Sequence, residues 1–299
     1  MSWPCWILAS AVFLAFYDLA KKASVRENAV LPVLLCSTAF GCAAFLIGLW
    51  ASGRFGLVQD IDAKTLGLSA IKSVIVATSW IFTFCALRTL PISIATPIRA
   101  SAPALVFLMA FFLYGETPSF VQALGMLTVF GGYFVFSWAG RHEGIDFFRN
   151  RAVWCAIAGM CCSACSAVWD KYLFQVLRLP VETVQFLFQI GLVAVYGMLL
   201  LATVLYRRLV PTAPAPVPFS WRLTIPFVGV LLAAADWLYF HGISGEGVPI
   251  SVASLMRRFS VVLTFVLGAK FFHETNLVRK GLALGAILVG IVLLCLDRR

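Results

Sequence analysis

The chain has 299 residues, of which 62% are hydrophobic and 12% charged, with a formal net charge of +10. A soluble domain carries about 25% charged residues and about 45–50% apolar ones, so this composition excludes a soluble globular protein and leaves little room for a separate soluble domain. The positive balance does not point to nucleic acid: in a membrane protein, Lys and Arg gather in cytoplasmic loops beside anionic lipid.

A membrane-crossing helix needs roughly 20 apolar residues. Ten stretches qualify: Pro4–Ala20, Ala29–Ala51, Leu66–Arg88, Pro91–Tyr114, Ser119–Trp138, Ala152–Val176, Val181–Tyr206, Thr224–Ile243, Pro249–Phe272 and Leu277–Leu296. They are too long and continuous for barrel strands, so the expected fold class is an all-α membrane protein. Met1–Ala20 reads as a retained first span rather than a cleavable signal peptide. Two loops are longer and more polar, Gly140–Arg151 and Arg207–Arg222. The first divides the chain into two five-span halves, 1–139 and 152–299, joined by 140–151.

The halves resemble each other. Pro91–Thr117 and Pro249–Thr275 align without a gap, and nine of 27 positions are identical. The matches include Pro91 with Pro249, Arg99 with Arg257 and Glu116 with Glu274. Shared Leu and Phe are expected between apolar segments; a shared Pro, Arg and Glu-Thr are not. Asp18 in the first span has a counterpart in Asp170, Ser79-Trp80 lies near the position of Asp236-Trp237, and Gly132 matches Gly290. With an odd number of spans per half, the second half enters the membrane in the opposite sense. The predicted architecture is therefore ten transmembrane helices as two inverted five-helix repeats, with a substrate site near mid-membrane between them. Loops 1–2, 3–4, 5–6, 7–8 and 9–10 hold twelve Lys and Arg against five on the other side, which favours both termini outside.

Ionisable groups within spans are costly, so Arg99, Arg257 and Arg258, at roughly 8–10 kcal/mol together if unpaired, must face the protein interior or a wet cavity. Arg99 and Arg257 each lie eight residues beyond the Pro that starts their span, about 12 Å into a core about 30 Å thick. Two readings are open for them. Guanidinium forks grip carboxylate or phosphate bidentately; alternatively, each pairs with an internal carboxylate such as Asp18, Asp170 or Asp236. Arg258, opposite Ala100 in the repeat, is the better substrate candidate. Pro97 and Pro103 should kink or open the fourth span around Arg99; the ninth span lacks both.

Asp236 and His241 lie five apart on the eighth span, either as proton-coupling groups, with Asp18 and Asp170, or as a polar packing pair. Trp80, Trp169, Trp237, Tyr17 and Tyr239 are candidates to wall a pocket or to sit in the interfacial belt. Gln185 and Gln189 share one face of the seventh span and could line the same cavity. Glu116 and Glu274 suit helix N-termini, and Glu246 reads as solvated. Cys161, Cys162 and Cys165 read as small packing residues rather than metal ligands. No nucleophile–base or metal-ligand constellation marks an enzyme, and no cofactor or metal is expected.

At these residues the chain resembles the drug/metabolite transporter superfamily, in particular its EamA-type members. The carriers of the resemblance are the ten spans in two halves, Gly115-Glu-Thr117 after the fourth span, and Met256-Arg-Arg-Phe-Ser-Val-Val-Leu263 followed by Glu274. The resemblance implies an alternating-access carrier in the cell (inner or plasma) membrane of a bacterium, with a cavity lined by spans 1–4 and 6–9 and with spans 5 and 10 peripheral. Better known ten-span members keep both termini in the cytoplasm, opposite to the charge count. The leading expectation is a secondary transporter for a small organic anion or zwitterion, such as an amino acid or phosphorylated metabolite. Alternatives are an exporter of cationic drugs, using Asp18, Asp170 or Asp236, and a lipid flippase or non-transporting scaffold. The expected partners are the substrate, the lipid bilayer and, as a candidate, a second copy of the chain; nucleic acid is not expected.

Overall fold

The computed structural model describes residues 2–25, 28–58, 61–89, 98, 102–115, 117, 119–138, 150–210, 217–272, 285–286, 288–290 and 292–293. Among these there are helices and turns and no strand. The helices are α1 (Trp3–Val25), α2 (Val30–Ala51), α3 (Ala63–Thr89), α4 (Ala102–Tyr114), α5 (Phe120–Trp138), α6 (Arg151–Lys171), α7 (Val181–Leu209), α8 (Thr224–Ile243), α9 (Ile250–Arg257) and α10 (Phe259–Phe272). Six helical stretches, on α1, α2, α3, α6, α7 and α8, are long and apolar enough to cross a membrane. Large apolar side chains such as Phe112, Leu127 and Met198 are exposed on the outside of the bundle, where acyl chains would cover them.

Several expected boundaries hold, and the departures have local causes. The eighth span coincides with α8. The sixth runs as α6 and then a π turn over Tyr172–Val176. There the N–H of Leu177 donates to Tyr172 O (3.0 Å) and that of Leu179 to Leu173 O (3.0 Å). Arg178 closes the turn at φ +53°, a left-handed conformation that ends helices. The ninth span is not one helix. It breaks at Arg258, whose N–H donates to Leu255 O, three residues back, at 3.0 Å; such a tightened turn within a span relieves no proline here and marks a joint. Of the fourth span only Ala102–Tyr114 and Ile98 are described, so Pro97 and Arg99 lie outside the described residues. Pro103 falls in the first turn of α4, where its missing N–H costs nothing. Glu116, Glu274 and most of the tenth span also lie outside the described residues. The part of the tenth span that is described packs on α5: a Cβ on Gly290 would stand 2.7 Å from Gly125 O.

Two helix starts are capped by side chains. Asp62 Oδ2 accepts from Thr65 N–H at 3.2 Å, capping α3. The Thr65 side chain first, and this N–H with it, hold the exposed Asp62 carboxyl below its ordinary value by hydrogen bonding. Asn150 caps α6 by accepting from Ala152 N–H at 2.9 Å.

Hydrogen bonds between helices fix their directions. Ser10 Oγ donates to Ala235 O (2.6 Å) and Ser24 meets Thr224 (2.6 Å), so α1 and α8 run antiparallel. Ser79 Oγ donates to Gly159 O (2.7 Å) and Trp169 Nε1 to Leu68 O (3.2 Å), so α3 and α6 do the same. Ser73 Oγ reaches Phe188 O (3.1 Å) and Trp80 stacks on Tyr196 (6.5 Å), so α3 and α7 run parallel. α2 packs on α7 and α8, and α4 packs on α6 and α9. The close crossings use residues without bulk: a Cβ on Gly229 would stand 1.8 Å from Ser37 O, and one on Gly41 2.6 Å from Gly229 O. Small residues let backbones approach in this way where no hydrophobic force drives helices together.

These directions define two faces. The C-terminal ends of α1 and α3 and the N-terminal ends of α2, α6 and α8 share one, here called the near face. The N-terminal ends of α3 and α7 and the C-terminal ends of α2, α6 and α8 share the far face. Toward the far face, Leu173, Val184, Ile243, Ile250, Val252 and Leu255 are fully buried.

Candidate functional site

A narrow cavity of about 20 Å³ lies between α1, α2, α3, α7 and α8. Its lining comes from the near-face halves of four helices: Tyr17 to Val25 of α1, Val33 to Gly41 of α2, Trp80 and Phe84 of α3, and Val228 to Asp236 of α8. Phe188, Gln189 and Leu192 of α7 complete it. The cavity therefore reaches toward the near face and stops at the far half.

Among the described residues, two charged side chains line it, Lys21 and Asp236. Lys21 is buried. Its ammonium lies 4.0 Å from Asp18, one turn earlier on α1, and 5.2 Å and 4.8 Å from the ring centres of Tyr17 and Phe84. Those rings take part of the role of water around the cation. Asp236 accepts a charge-assisted hydrogen bond from Arg257 of α9. The Arg257 guanidinium lies 4.2 Å over the ring of Tyr239, and its Nε has no partner among the described residues. Gln189 presents a buried Oε1 with no protein partner among the described residues, although it lines the cavity. Such an orphan acceptor costs about 1–3 kcal/mol until water or a ligand donates to it.

Behind Phe188 lies a second ion pair. Lys72 of α3 is 1% exposed and donates to Asp170 of α6. Its ammonium stands 4.7 Å from the ring centre of Phe188 and 4.5 Å from that of Phe240. Asp170 is within Coulombic reach of Asp236 and Arg257, so two cations and two carboxylates form one compensated cluster. Nearer the far face, Glu182 accepts from Arg54 at 3.1 Å and lies 3.7 Å from His241 Nε2. His241 Nδ1 meets Trp237 O at 3.0 Å, and its ring packs between Trp6 and Trp237. Gln175 Nε2 donates to both Ile243 O and Val248 O at 2.9 Å, tying the π turn to the loop between α8 and α9.

The sequence candidates are thus divided. Tyr17, Trp80, Gln189 and Asp236 line the cavity. Gln185 stands beside it, donating to Ala233 O at 3.3 Å. Asp18 reaches it through Lys21. Tyr239, Arg257 and Asp170 lie behind its wall, and Arg258 sits half-buried at the joint between α9 and α10. Trp169 packs on Tyr172, while Trp237 and His241 belong to the far-face cluster. Asp236 and His241 do not act on each other: one turns to Arg257, the other to Glu182. Glu246, expected to be solvated, is exposed and pairs with Arg178 at 2.7 Å. The sequence reading missed Lys72 and Lys21. The signal was present for Lys72, a lysine in the interior of the third apolar stretch, but the charge count took only loop residues.

Residues 1–138 match the model of the EamA-like transporter family. That family lies within the drug/metabolite transporter superfamily and points to a membrane transporter rather than an enzyme; with six crossing-length helices among the described residues, the chain is a multi-pass membrane protein. In fold, the chain is similar to a protein of known crystal structure, with a TM-score of 0.70 and 20% identity over 97% of this chain and 95% of that one. At that identity the likeness is one of fold alone. No curated protein matches the chain in sequence.

Proposed function

We propose that this chain, whose residues 1–138 are similar to the EamA-like transporter family, is a secondary carrier that moves a small organic zwitterion or anion by alternating access. One observation carries the reading: a cavity closed toward one face has Lys21, Asp236 and the orphan Oε1 of Gln189 on its wall. A cargo with a carboxylate and an amine matches that set. The carboxylate meets the Lys21 ammonium, and the amine donates to Gln189 and Asp236. Trp80 and Tyr17 supply apolar wall. Arg257 enters through Asp236, whose carboxylate it holds in place.

Two inverted five-helix repeats, 1–139 and 152–299, would give this cavity its counterpart on the other face. The packing supports that arrangement. Exchanging each helix for the one five spans away turns the α1–α8 contact into the α6–α3 contact, and the α2–α8 contact into the α7–α3 contact.

The test is uptake by proteoliposomes against a panel of amino acids and sugar phosphates, with and without a pH gradient, beside a thermal-shift screen of the same compounds. Zwitterions should raise the melting temperature, and Gln189→Leu should abolish the rise. Stabilisation by lipophilic cations, with none by zwitterions or anions, would overturn the reading. The second reading, export of cations, is favoured by Asp236 on the cavity wall; under it, Arg257→Gln frees that carboxylate and tightens cation binding.

A further inference from the structure

Three hydrogen-bond acceptors lie where α7 passes α8. Gln185 and Gln189 are four residues apart on α7 and so share one side of it; both are buried. Gln185 Nε2 donates to Ala233 O of α8 at 3.3 Å, and Ala233 lines the cavity together with Gln189 and Asp236. The Oε1 atoms of both glutamines have no hydrogen-bond partner among the described residues. We propose that Gln185, Gln189 and Asp236 form a seat for one primary ammonium group of the cargo and that this seat rejects a quaternary one. The inference deepens the carrier reading above and rests on it; what it adds is Gln185, as a specificity-determining residue, and the class of amine.

Two observations carry it, one chemical and one steric. A carbonyl oxygen only accepts, so Ala233 O fixes the nitrogen end of the Gln185 amide and leaves the other end as an acceptor. Stranded acceptors in a buried wall are costly until a donor reaches them. Asp236 adds a third acceptor, because a carboxylate has about four lone-pair sites and the bond from Arg257 takes one. A primary ammonium carries three N–H donors and no acceptor, the complement of this set. A trimethylated ammonium has the same charge but no N–H, so it would leave both glutamine oxygens unpaired. Lys21, the cation on the same wall, lies away from the seat. Ser10 meets Ala235 and Ser24 meets Thr224, which puts Lys21 near the start of α8 and Asp236 deeper in the bundle. The steric observation is the size of the cavity, about 20 Å³, where a water needs roughly 10–15 Å³. An ammonium head that carries only hydrogens is of water's size; one with three methyl groups in their place is far larger.

Thermal unfolding of the purified full-length protein in detergent tests this with two probes, methylammonium chloride and tetramethylammonium chloride, against sodium chloride at equal concentration. Methylammonium should raise the melting temperature and tetramethylammonium should not. Gln185→Leu should lose most of the methylammonium shift while keeping its melting temperature without the probe. Equal shifts with both probes, no shift with methylammonium, or an undiminished shift in Gln185→Leu would each overturn the proposal. If Gln185→Leu does not fold, the two probes on the wild type decide the matter alone. The thermal-shift screen of amino acids, extended to their N-trimethyl counterparts, separates this inference from the reading it rests on. Zwitterions that stabilise the protein equally with a trimethylated and a free amine would keep the carrier reading and sink the seat. No response to any zwitterion or anion would sink the carrier reading, whatever the two probes show.

Discussion

Arg257 of α9 closes on Asp236 of α8 while lying over the ring of Tyr239, so one guanidinium is at once counter-ion to a cavity carboxylate and lid over an aromatic face. Removing one partner strands the other in low dielectric, which costs about 3–5 kcal/mol. Asp236→Asn should therefore lower the melting temperature in detergent clearly, and Asp236→Asn/Arg257→Met should recover most of the loss. Additive losses in the double variant would show that the two side chains act independently.

The crossing of α2 and α8 allows no side chain. Gly229→Ala would place a methyl 1.8 Å from Ser37 O, and relief requires the helices to separate, at a typical overpacking cost of about 1–3 kcal/mol. At Gly48, on the same α2, an added Cβ would meet nothing within 4 Å, so Gly48→Ala should be neutral or stabilising by about 0.5–1 kcal/mol. Thermal unfolding of the two variants side by side checks the contrast.

Much of this was legible from the residues, and the boundary between legible and illegible is physical. Apolar run length located α7 and α8, because a span must be about as long as the lipid is thick. It could not reveal the break at Arg258, where no proline or glycine interrupts the run, nor the π turn after α6. Asp236 and Arg257 were both visible as costly charges, but their pairing is a contact between two helices, which spacing along one helix does not encode. Lys72 was hidden by averaging: one lysine barely alters the hydropathy of a 27-residue helix.

Asp62 makes the start of α3 sensitive to acid. Its carboxyl titrates below the ordinary value because the Thr65 side chain, and with it the Thr65 N–H, hydrogen-bonds to the charged form. A group with a lowered folded pKa contributes stability above the unfolded value, near 3.9 for Asp, and loses it as pH falls through the folded value. The difference in melting temperature between the wild type and Asp62→Ala should therefore be constant above about pH 5 and shrink steadily below it. A difference that persists unchanged to the lowest pH would rule out the charged cap.

Trp80 faces the cavity and stacks on the buried Tyr196. Cargo entering beside it changes the polarity around the indole, so tryptophan emission should shift on binding. Trp80→Phe keeps an aromatic wall and should remove most of that shift while binding, followed by thermal stabilisation, persists. A shift of equal size in Trp80→Phe would place the responding indole elsewhere.

The contact of Gly41 with Gly229 bears on how such a bundle can move. At that point the two helices meet main chain to main chain, with no side chain of either residue to disengage, and small residues of this kind allow helices to shift against each other. A small change in crossing angle leaves the touching atoms almost where they are and carries both ends of α2 and α8 through wide arcs. The two glycines are a fulcrum, and the walls on either side of them are its lever arms.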